Sequence, residues 1–376
     1  MKEKLPLINL QRDDAGNDLS EVSISENQLR PQKLGDYIGQ KNVTSRLEVF
    51  LAAAKKRKTP LDLVLLSGPP GLGKTTLAFI IAKELGGQLH QVPGPSLERS
   101  VDLLAILSSL QAGDVLFIDE IHRLNATIEE SLYPAMEDRR IQVVLGEGSS
   151  AQAVTLPLQP FTLVGATTQA GKLTAPLRDR FGIHFNLDFY TEEEMCEILT
   201  RSADILKIKM ADAEILKVAK RSRGTPRVGN RLLSRVRDFV EISRDDAQGK
   251  SGLSFQAKNV VSAASVGKKD VVDAALDFLD VDLQGLQPLD RRFLQILIDN
   301  FKGGPAGIEA LAASLSEDRR TLEELVEPYL LKIGYLIRSS RGRMATPLAY
   351  THLGLTVPKS ATELAQESLN FTAGAE

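Results

Sequence analysis

The run Gly68-Pro69-Pro70-Gly71-Leu72-Gly73-Lys74-Thr75 has the spacing of a phosphate cradle, G-x-x-x-x-G-K-[ST]. Its glycines let backbone N–H groups turn inward around an anion, and a helix starting there adds its positive end. Lys74 would set a compact positive charge on the β and γ phosphates of a nucleoside triphosphate, and the Thr75 hydroxyl would ligate Mg2+. Further along, Asp119 and Glu120 end the apolar run Val115-Leu116-Phe117-Ile118. Asp119 would hold the hydration shell of the metal, and Glu120 would orient and activate the attacking water. Such a pair, read alone, could instead solvate a strand end. The cradle upstream favours the chemical reading, and the glutamate favours hydrolysis over a nucleotide-locked switch.

Two further segments fit the same chemistry. Thr167 and Thr168 follow an apolar run, so a hydroxyl there could reach the γ-phosphate or its water, although threonine pairs at strand ends are common. Pro176-Leu177-Arg178-Asp179-Arg180-Phe181 carries two arginines. Surface ion pairing is the default for each, and the sharper reading sends one to a neighbouring subunit's γ-phosphate.

These residues need a frame. Residues 61–66 read as a buried strand, and Leu77, Ala78, Ile80 and Ile81 place a helix after Lys74. Residues 115–118 and 161–165 are two more buried strands. Strands of this kind separated by helices imply a parallel α/β sheet, with ligands at the strands' carboxyl ends. Residues 141–145 and 153–158 are strand-like and joined by Gly146, Glu147, Gly148, Ser149 and Ser150, the pattern of an inserted β-hairpin. Its Ile141, Val143, Val144 and Leu145 suit a protein contact or an extension of the sheet. From Thr191 to about Val281 the spacing is helical, opened by a Thr191-x-x-Glu194 capping box. Residues 245–252 read as a surface loop. The expected domains are an arm at 1–27, a large α/β domain at 28–190, a small helical domain at 191–282, a third unit at 285–355 and a tail at 356–376.

Residues 290–346 read as a winged helix by their own pattern. Helices are predicted over 292–301, 308–315 and 319–330, the last opened by Ser316, with Leu322, Leu325, Val326, Tyr329 and Leu330 on its inner face. Residues 334–338 and 343–346 flank Ser339-Ser340-Arg341-Gly342 as a β-wing. Arg338, Arg341 and Arg343 fall within six positions with no acid among them. That suits contact with the phosphates of duplex DNA, a solvated hairpin tip being the plain alternative. Glu323, Glu324 and Glu327 are expected to face solvent. No aromatic is interleaved with the arginines, which disfavours stacking of single-stranded bases.

Bulk properties set limits. With 376 residues, 43% of them hydrophobic and 25% charged, the chain has the composition of a globular protein of two or three domains. A net charge of -3 gives no global sign of nucleic-acid binding, so DNA affinity must come from a local patch. The single cysteine, Cys196, allows no internal disulfide and reads as a packing residue. Four histidines and one cysteine argue against a structural zinc site, and His122 is assigned no role. No run approaches the roughly 18 apolar residues of a membrane-spanning helix, nor does a signal-peptide core stand out. A cytoplasmic protein is expected.

Together these residues resemble the AAA+ superfamily, with 68–75 as Walker A, 115–120 as Walker B and Thr168 as sensor 1. Leu29-Arg30-Pro31, Tyr37-Ile38-Gly39-Gln40, Gly165-Ala166-Thr167-Thr168, Leu177-Arg178-Asp179-Arg180-Phe181-Gly182, Arg223-Gly224-Thr225-Pro226-Arg227 and Arg341-Gly342-Arg343-Met344-Ala345-Thr346 narrow the likeness. In that order, over residues 28–353, they are similar to the RuvB family of bacterial Holliday-junction branch-migration motors.

The resemblance implies an α/β fold: an AAA+ P-loop domain with an inserted hairpin, a helical lid and a winged-helix head. It implies ATP and Mg2+, with Lys74, Asp119, Glu120, Thr168 and Arg180 catalytic and Arg180 acting across a subunit border. Leu29, Arg30, Ile38 and Tyr190 would line the adenine and ribose. Gly71, Gly73, Lys74, Thr75, Thr76, Glu137, Asp138, Arg139, Arg180 and the sensor-2 residue Arg227 would complete the nucleotide contacts. Thr75 and Asp119 would hold the metal, Asp119 through water. Arg319, Arg338 and Arg343 would touch DNA, with Arg320 and Arg341 ranked lower. The implied partners are double-stranded DNA flanking a four-way junction, a RuvA-type junction-binding protein docked on the 141–158 hairpin, a RuvC-type resolvase, and like subunits in a homohexamer. The loop around 245–265 and both tails depart from the family pattern. A clamp-loader-like AAA+ ATPase is the alternative enzyme, and it would not need the arginine wing. A nucleotide-gated DNA-binding regulator is the alternative of another class, and Glu120 argues against it.

Overall fold

A computed structural model describes residues 28–145, 152–247 and 271–358. The predicted arm at 1–27, the hairpin tip at 146–151, residues 248–265 of the departing loop and the tail from 359 lie outside these. The chain divides into two compact units, at the bond between Ile208 and Lys209.

The first unit runs α1 (Lys41–Arg57), β1 (Val64–Ser67), α2 (Lys74–Leu85), β2 (Leu89–Pro93), α3 (Ser100–Ser109), β3 (Val115–Asp119), α4 (Ala126–Glu137), β4 (Arg140–Leu145), β5 (Gln152–Pro157), β6 (Thr162–Thr167), α5 (Ala175–Asp179), β7 (Ile183–Asn186) and α6 (Glu192–Ile205). Five strands form a parallel sheet in the order β2-β3-β6-β1-β7. Val115, Leu116, Phe117 and Ile118 are all buried, which is why β3 shows no alternation in sequence. Full burial of each large side chain contributes about 1.5–3 kcal/mol. Leu103, Leu107, Ile128 and Leu132 cover one side of the sheet from α3 and α4.

The register brings the functional ends together. Ser67 lies beside Thr167, and Ile118 lies beside Gly165. The phosphate loop, Glu120 and Thr168 therefore leave adjacent strands at one edge. A Cβ on Gly165 would stand 2.9 Å from both Ile121 and Phe181, so the chain beneath this edge packs too closely for a side chain.

Two strands were not expected. β2 and β7 are the sheet's outer strands. β2 is only half buried and β7 alternates buried with exposed residues, so neither has a continuous apolar run. β1 begins at Val64 and not at residue 61, with the Asp62 carboxylate accepting the Leu63 N–H just before it. The hairpin forms its own antiparallel sheet, from Arg140 opposite Pro157 to Leu145 opposite Gln152. Ile141 is buried in the core of the unit and anchors the hairpin, so it is not available as a contact surface. The Thr191–Glu194 capping box forms as predicted and opens α6.

The second unit runs α7 (Asp212–Arg221), α8 (Pro226–Ala247), α9 (Val271–Phe278), α10 (Pro288–Asp299), α11 (Ile308–Leu315), α12 (Arg319–Thr321), α13 (Glu327–Lys332), β8 (Leu336–Ser339), β9 (Gly342–Ala345) and α14 (Pro347–His352). Helix α8 extends to Ala247, into residues predicted as loop. α10 begins earlier than predicted, at Pro288, because Asp290 caps the Gln287 N–H at 2.7 Å. Ser316 does not open the third helix of the wing. It ends α11 in a left-handed conformation, and Asp318 is the cap, accepting the Arg320 N–H at 2.7 Å. Between α12 and α13, residues Leu322–Val326 form a π-helical turn. Pro328 accounts for it: without an N–H, and with its ring against the preceding turn, it cannot continue a regular helix.

The wing core gathers Phe293, Leu297, Leu311, Leu322, Leu330 and Leu336. A buried ion pair ties it to the turn between α7 and α8. The Arg223 guanidinium holds the Asp290 carboxylate and donates from Nε to the Gly285 carbonyl at 2.8 Å.

Candidate nucleotide site and DNA-binding head

The loop from β1 to α2 takes backbone angles that side chains oppose. Gly68, Gly71 and Gly73 have φ of 136°, 80° and 101°. A Cβ on Gly73 would lie 2.6 Å from the Tyr37 hydroxyl oxygen. Lys74 is buried, and its Nζ donates to the carbonyl oxygens of Gly68 at 2.7 Å and Pro69 at 2.9 Å. The ammonium is thus folded into the loop whose N–H groups would face a phosphate. Thr75 and Thr76 follow on the first turn of α2, half buried.

Tyr37 and Tyr190 brace this loop. Their hydroxyls are 2.9 Å apart and lie 3.2 and 3.1 Å from the Leu72 carbonyl oxygen. Burial pushes the Tyr190 phenol up to about 12 and the Tyr37 phenol well above its ordinary value, so both stay neutral. Tyr190, expected beside adenine, directs its hydroxyl to the loop backbone, and its ring lies against Gly39. Tyr37 was passed over in sequence reasoning. Only its place in the Tyr37-Ile38-Gly39-Gln40 motif could have flagged it.

At the next strand ends, Glu120 has φ of 50°, a left-handed value costly for a residue with a side chain. Its Oε2 accepts from the Thr168 hydroxyl at 2.9 Å and from the Thr168 N–H at 3.2 Å. His122 Nδ1 lies 3.2 Å from the same oxygen and 2.9 Å from the Thr167 hydroxyl. The Glu120 side chain remains 27% exposed, leaving room for a water at its other oxygen. Asp119 ends β3 beside it. An Asp carboxylate and a Thr hydroxyl are hard oxygen donors, which suits Mg2+ completed by phosphates and water. No cluster of three or more His, Cys, Asp or Glu side chains fit to hold a metal occurs among the described residues. The structure joins Glu120 to Thr168 and adds His122, whose contact depends on folding and leaves no spacing signal.

Arg180 ends α5 on the same unit. Its Nε is 2.9 Å from Glu137 Oε1, but off the N–H direction, so the contact is an ion pair and not a hydrogen bond. NH1 donates to the Pro176 carbonyl at 2.6 Å, and the guanidinium lies 3.9 Å over the Tyr133 ring. Asp138 and Arg139 follow Glu137, exposed at the end of α4. Leu29 is buried, and Arg30 and Ile38 are half buried. Arg227 stands exposed on the first turn of α8, in the second unit.

In the wing, Arg338 on β8 is directly opposite Arg343 on β9. Glu327, expected in solvent, is instead 0% exposed and receives both arginines. Its Oε2 accepts from Arg338 Nε at 2.9 Å and its Oε1 from Arg343 Nε at 2.6 Å. Glu323 is also largely covered, accepting from Arg319 Nε at 3.1 Å and lying 3.5 Å from Arg343 NH2. Arg319 reaches Glu309 as well, at 2.7 Å. Leu325, predicted inside, is 57% exposed. Leu322, Val326, Tyr329 and Leu330 keep the buried positions predicted for them, and Glu327 turns inward because the two wing arginines pair with it. Arg320 and Arg341 are exposed, with no ion pair among the described residues.

Three family models match the chain in order: the Holliday junction DNA helicase RuvB P-loop domain over residues 29–187, the RuvB AAA lid domain over 190–251 and the RuvB C-terminal winged helix domain over 283–354. The chain belongs to the RuvB family. A solved structure of the Thermotoga maritima RuvB Holliday junction branch migration motor is 46% identical, with a TM-score of 0.75, covering 88% of this chain and 100% of its own. A single-residue variant of that protein gives a TM-score of 0.76 at 46% identity, covering 88% and 99%. RuvB membership makes the chain an AAA+ ATPase and a Holliday junction branch-migration motor, nucleotide-binding and acting on DNA in recombination and repair.

Proposed function

We propose that this RuvB-family chain hydrolyses ATP at the borders of a homohexameric ring and thereby pulls double-stranded DNA through a four-way junction. The observation that carries the reading is the Thr168–Glu120 pair, held one strand away from the loop that buries Lys74. Glu120 is the base that takes the proton of the attacking water. Thr168 orients it, and Lys74 with the loop N–H groups binds the β and γ phosphates. Bound Mg2+ would neutralise charge building between the phosphates, with Thr75 and, through water, Asp119 as its protein contacts.

Arg180 acts in trans on the next subunit's γ-phosphate. Glu137 and Tyr133 hold the guanidinium ready, which supports that role. A head-to-tail interface of this kind closes as a ring. Leu29, Arg30 and Ile38 contact adenine and ribose, and Arg227 of the lid senses the nucleotide. Arg319, Arg338 and Arg343 face the DNA backbone. A RuvA-type partner docks on the β4–β5 hairpin and a RuvC-type resolvase cuts the product. The setting is the cytoplasm, in keeping with the absence, among the described residues, of any helix long and apolar enough to cross a membrane.

The test is the ATPase rate with no DNA, with linear duplex and with a synthetic four-way junction, each with and without the junction-binding partner. Stimulation by duplex, and junction dissociation only with ATP and partner together, is the expected outcome. Arg180→Ala should lower hydrolysis by about a thousandfold. Hydrolysis indifferent to DNA would leave the wing arginines without a role, and full activity in Arg180→Ala would remove the cross-subunit step.

A further inference from the structure

Like charges placed directly opposite on paired strands repel, and Arg338 and Arg343 are such a pair. The fold answers with a carboxylate that has no other visible reason to be where it is. Glu327 is fully buried at the head of α13, and burying an ionised carboxylate is unfavourable unless it is paired and hydrogen-bonded. Its Oε1 accepts from Arg343 Nε, and its Oε2 accepts from Nε and NH2 along one edge of Arg338 and, at 3.4 Å, from Arg343 NH2. Glu323, one turn earlier, repeats the arrangement between Arg343 and Arg319.

We propose that Glu327 is a positioning residue of the DNA grip: it holds the Arg338 and Arg343 side chains by their inner edges so that Arg338 presents its outer N–H groups to a phosphate. The inference rests on reading these arginines as DNA contacts. Arg338 keeps 49% of its side chain exposed despite the pairing, whereas Arg343 keeps 16%. Arg343 thus spans the two glutamates and fixes the wing on the helix, and Arg338 reaches outward. The unpaired Arg341 lies at the turn beyond it. Guanidinium groups bind phosphate through a planar fork, so orientation matters as much as charge.

Electrostatics alone and positioning predict opposite signs for one substitution. Glu327→Gln removes a negative charge beside the arginines, so a purely electrostatic wing would bind DNA more tightly. A positioned wing loses its brace and binds more weakly. The measurement is equilibrium binding of the full chain to a linear duplex of mixed sequence across a range of salt, with thermal melting to confirm that each variant folds. Positioning predicts roughly tenfold weaker binding and a salt slope shallower by about one for each phosphate contact released per engaged subunit. A general loss of stability does not produce that change of slope.

Arg338→Ala separates the two levels. If it leaves the slope unchanged, the arginines are not DNA contacts and the proposal falls with that reading. If it flattens the slope while Glu327→Gln tightens binding or leaves it unchanged, the contacts stand and the positioning role is overturned. Should Glu327→Gln fail to fold, Glu327→Asp is measured in the same way. It keeps the charge but withdraws it by one methylene, so a flatter slope supports positioning and an unchanged slope refutes it.

Discussion

Glu120 and Glu327 are the same residue type in opposite circumstances. Glu120 stands at a strand end with its Oε2 fixed by Thr168 and with a quarter of its side chain in solvent. Glu327 is sealed in the wing with both oxygens taken by arginines. A base must keep a lone pair for the proton it will accept, so its carboxylate is held by one oxygen only. A brace needs no free lone pair, and leaving one buried without a partner would be costly. On the proposed reading, the number of closed oxygens separates the carboxylate that reacts from the one that holds its neighbours.

The largest effect follows at the open carboxylate. Glu120→Gln keeps the shape and the contact with Thr168 but removes the base. Hydrolysis should fall by about 10²–10⁴-fold while ATP binding is retained, because Glu120 does not contribute to the phosphate loop. Single-turnover hydrolysis and nucleotide titration, measured side by side, check both halves. Unchanged hydrolysis would mean that the open oxygen has no catalytic use, and the distinction between the two glutamates would lose its basis.

A middle effect is expected at His122. Its ring closes one side of Glu120 through Nδ1, beside Thr167. Removing it as His122→Ala should leave Glu120 less firmly aimed. The Thr167 hydrogen bond that seats the ring beside Glu120 contributes about 0.5–1.5 kcal/mol, so a loss in kcat of up to about tenfold is expected, with KM little changed. A change confined to KM would move His122 from the base to the binding of nucleotide.

What could be read from sequence divides along the same line. The phosphate loop and Asp119-Glu120 were legible because covalent spacing and one apolar strand suffice to place them. His122 and Tyr37 were not, since each is defined by a contact with a distant segment: Thr167 for the first, Leu72 and Tyr190 for the second. The inner strands were legible by their apolar runs, whereas β2 and β7 at the sheet's edges had none. In the wing, the helix order and the β8–β9 hairpin were read correctly. The burial of Glu327 was missed because its partners, Arg338 and Arg343, come from the wing strands and leave no spacing signal on the helix. Local pattern thus placed Asp119, Glu120 and Thr168 at adjacent strand ends, and tertiary packing decided what holds them.

Asp114 offers a third carboxylate on which the distinction can be refined. It lies in the same unit as Glu120 but is closed like Glu327. Oδ1 accepts the Gln88 N–H at 2.9 Å, and Oδ2 accepts the Gln111 N–H at 2.9 Å and faces His90 Nε2 at 2.9 Å. Burial by itself would push this carboxyl up, but the two backbone N–H groups and the imidazole outweigh it and hold it below its ordinary value. A depressed folded value means that the stabilisation is present above the unfolded value, about 3.9, and is lost as pH falls through the folded one. Asp114→Asn sets an amide N–H2 against donors, and it should cost about 1–3 kcal/mol near neutrality. That corresponds to a melting temperature lower by several degrees, with kcat per folded molecule unchanged. The gap between the two proteins should close as pH drops below about 4, where the native carboxyl also takes up its proton. A thermal melt series against pH measures it. If the gap persisted unchanged into acid, the stabilisation would come from packing and not from charge. If kcat fell with stability intact, a closed carboxylate would be serving the reaction after all.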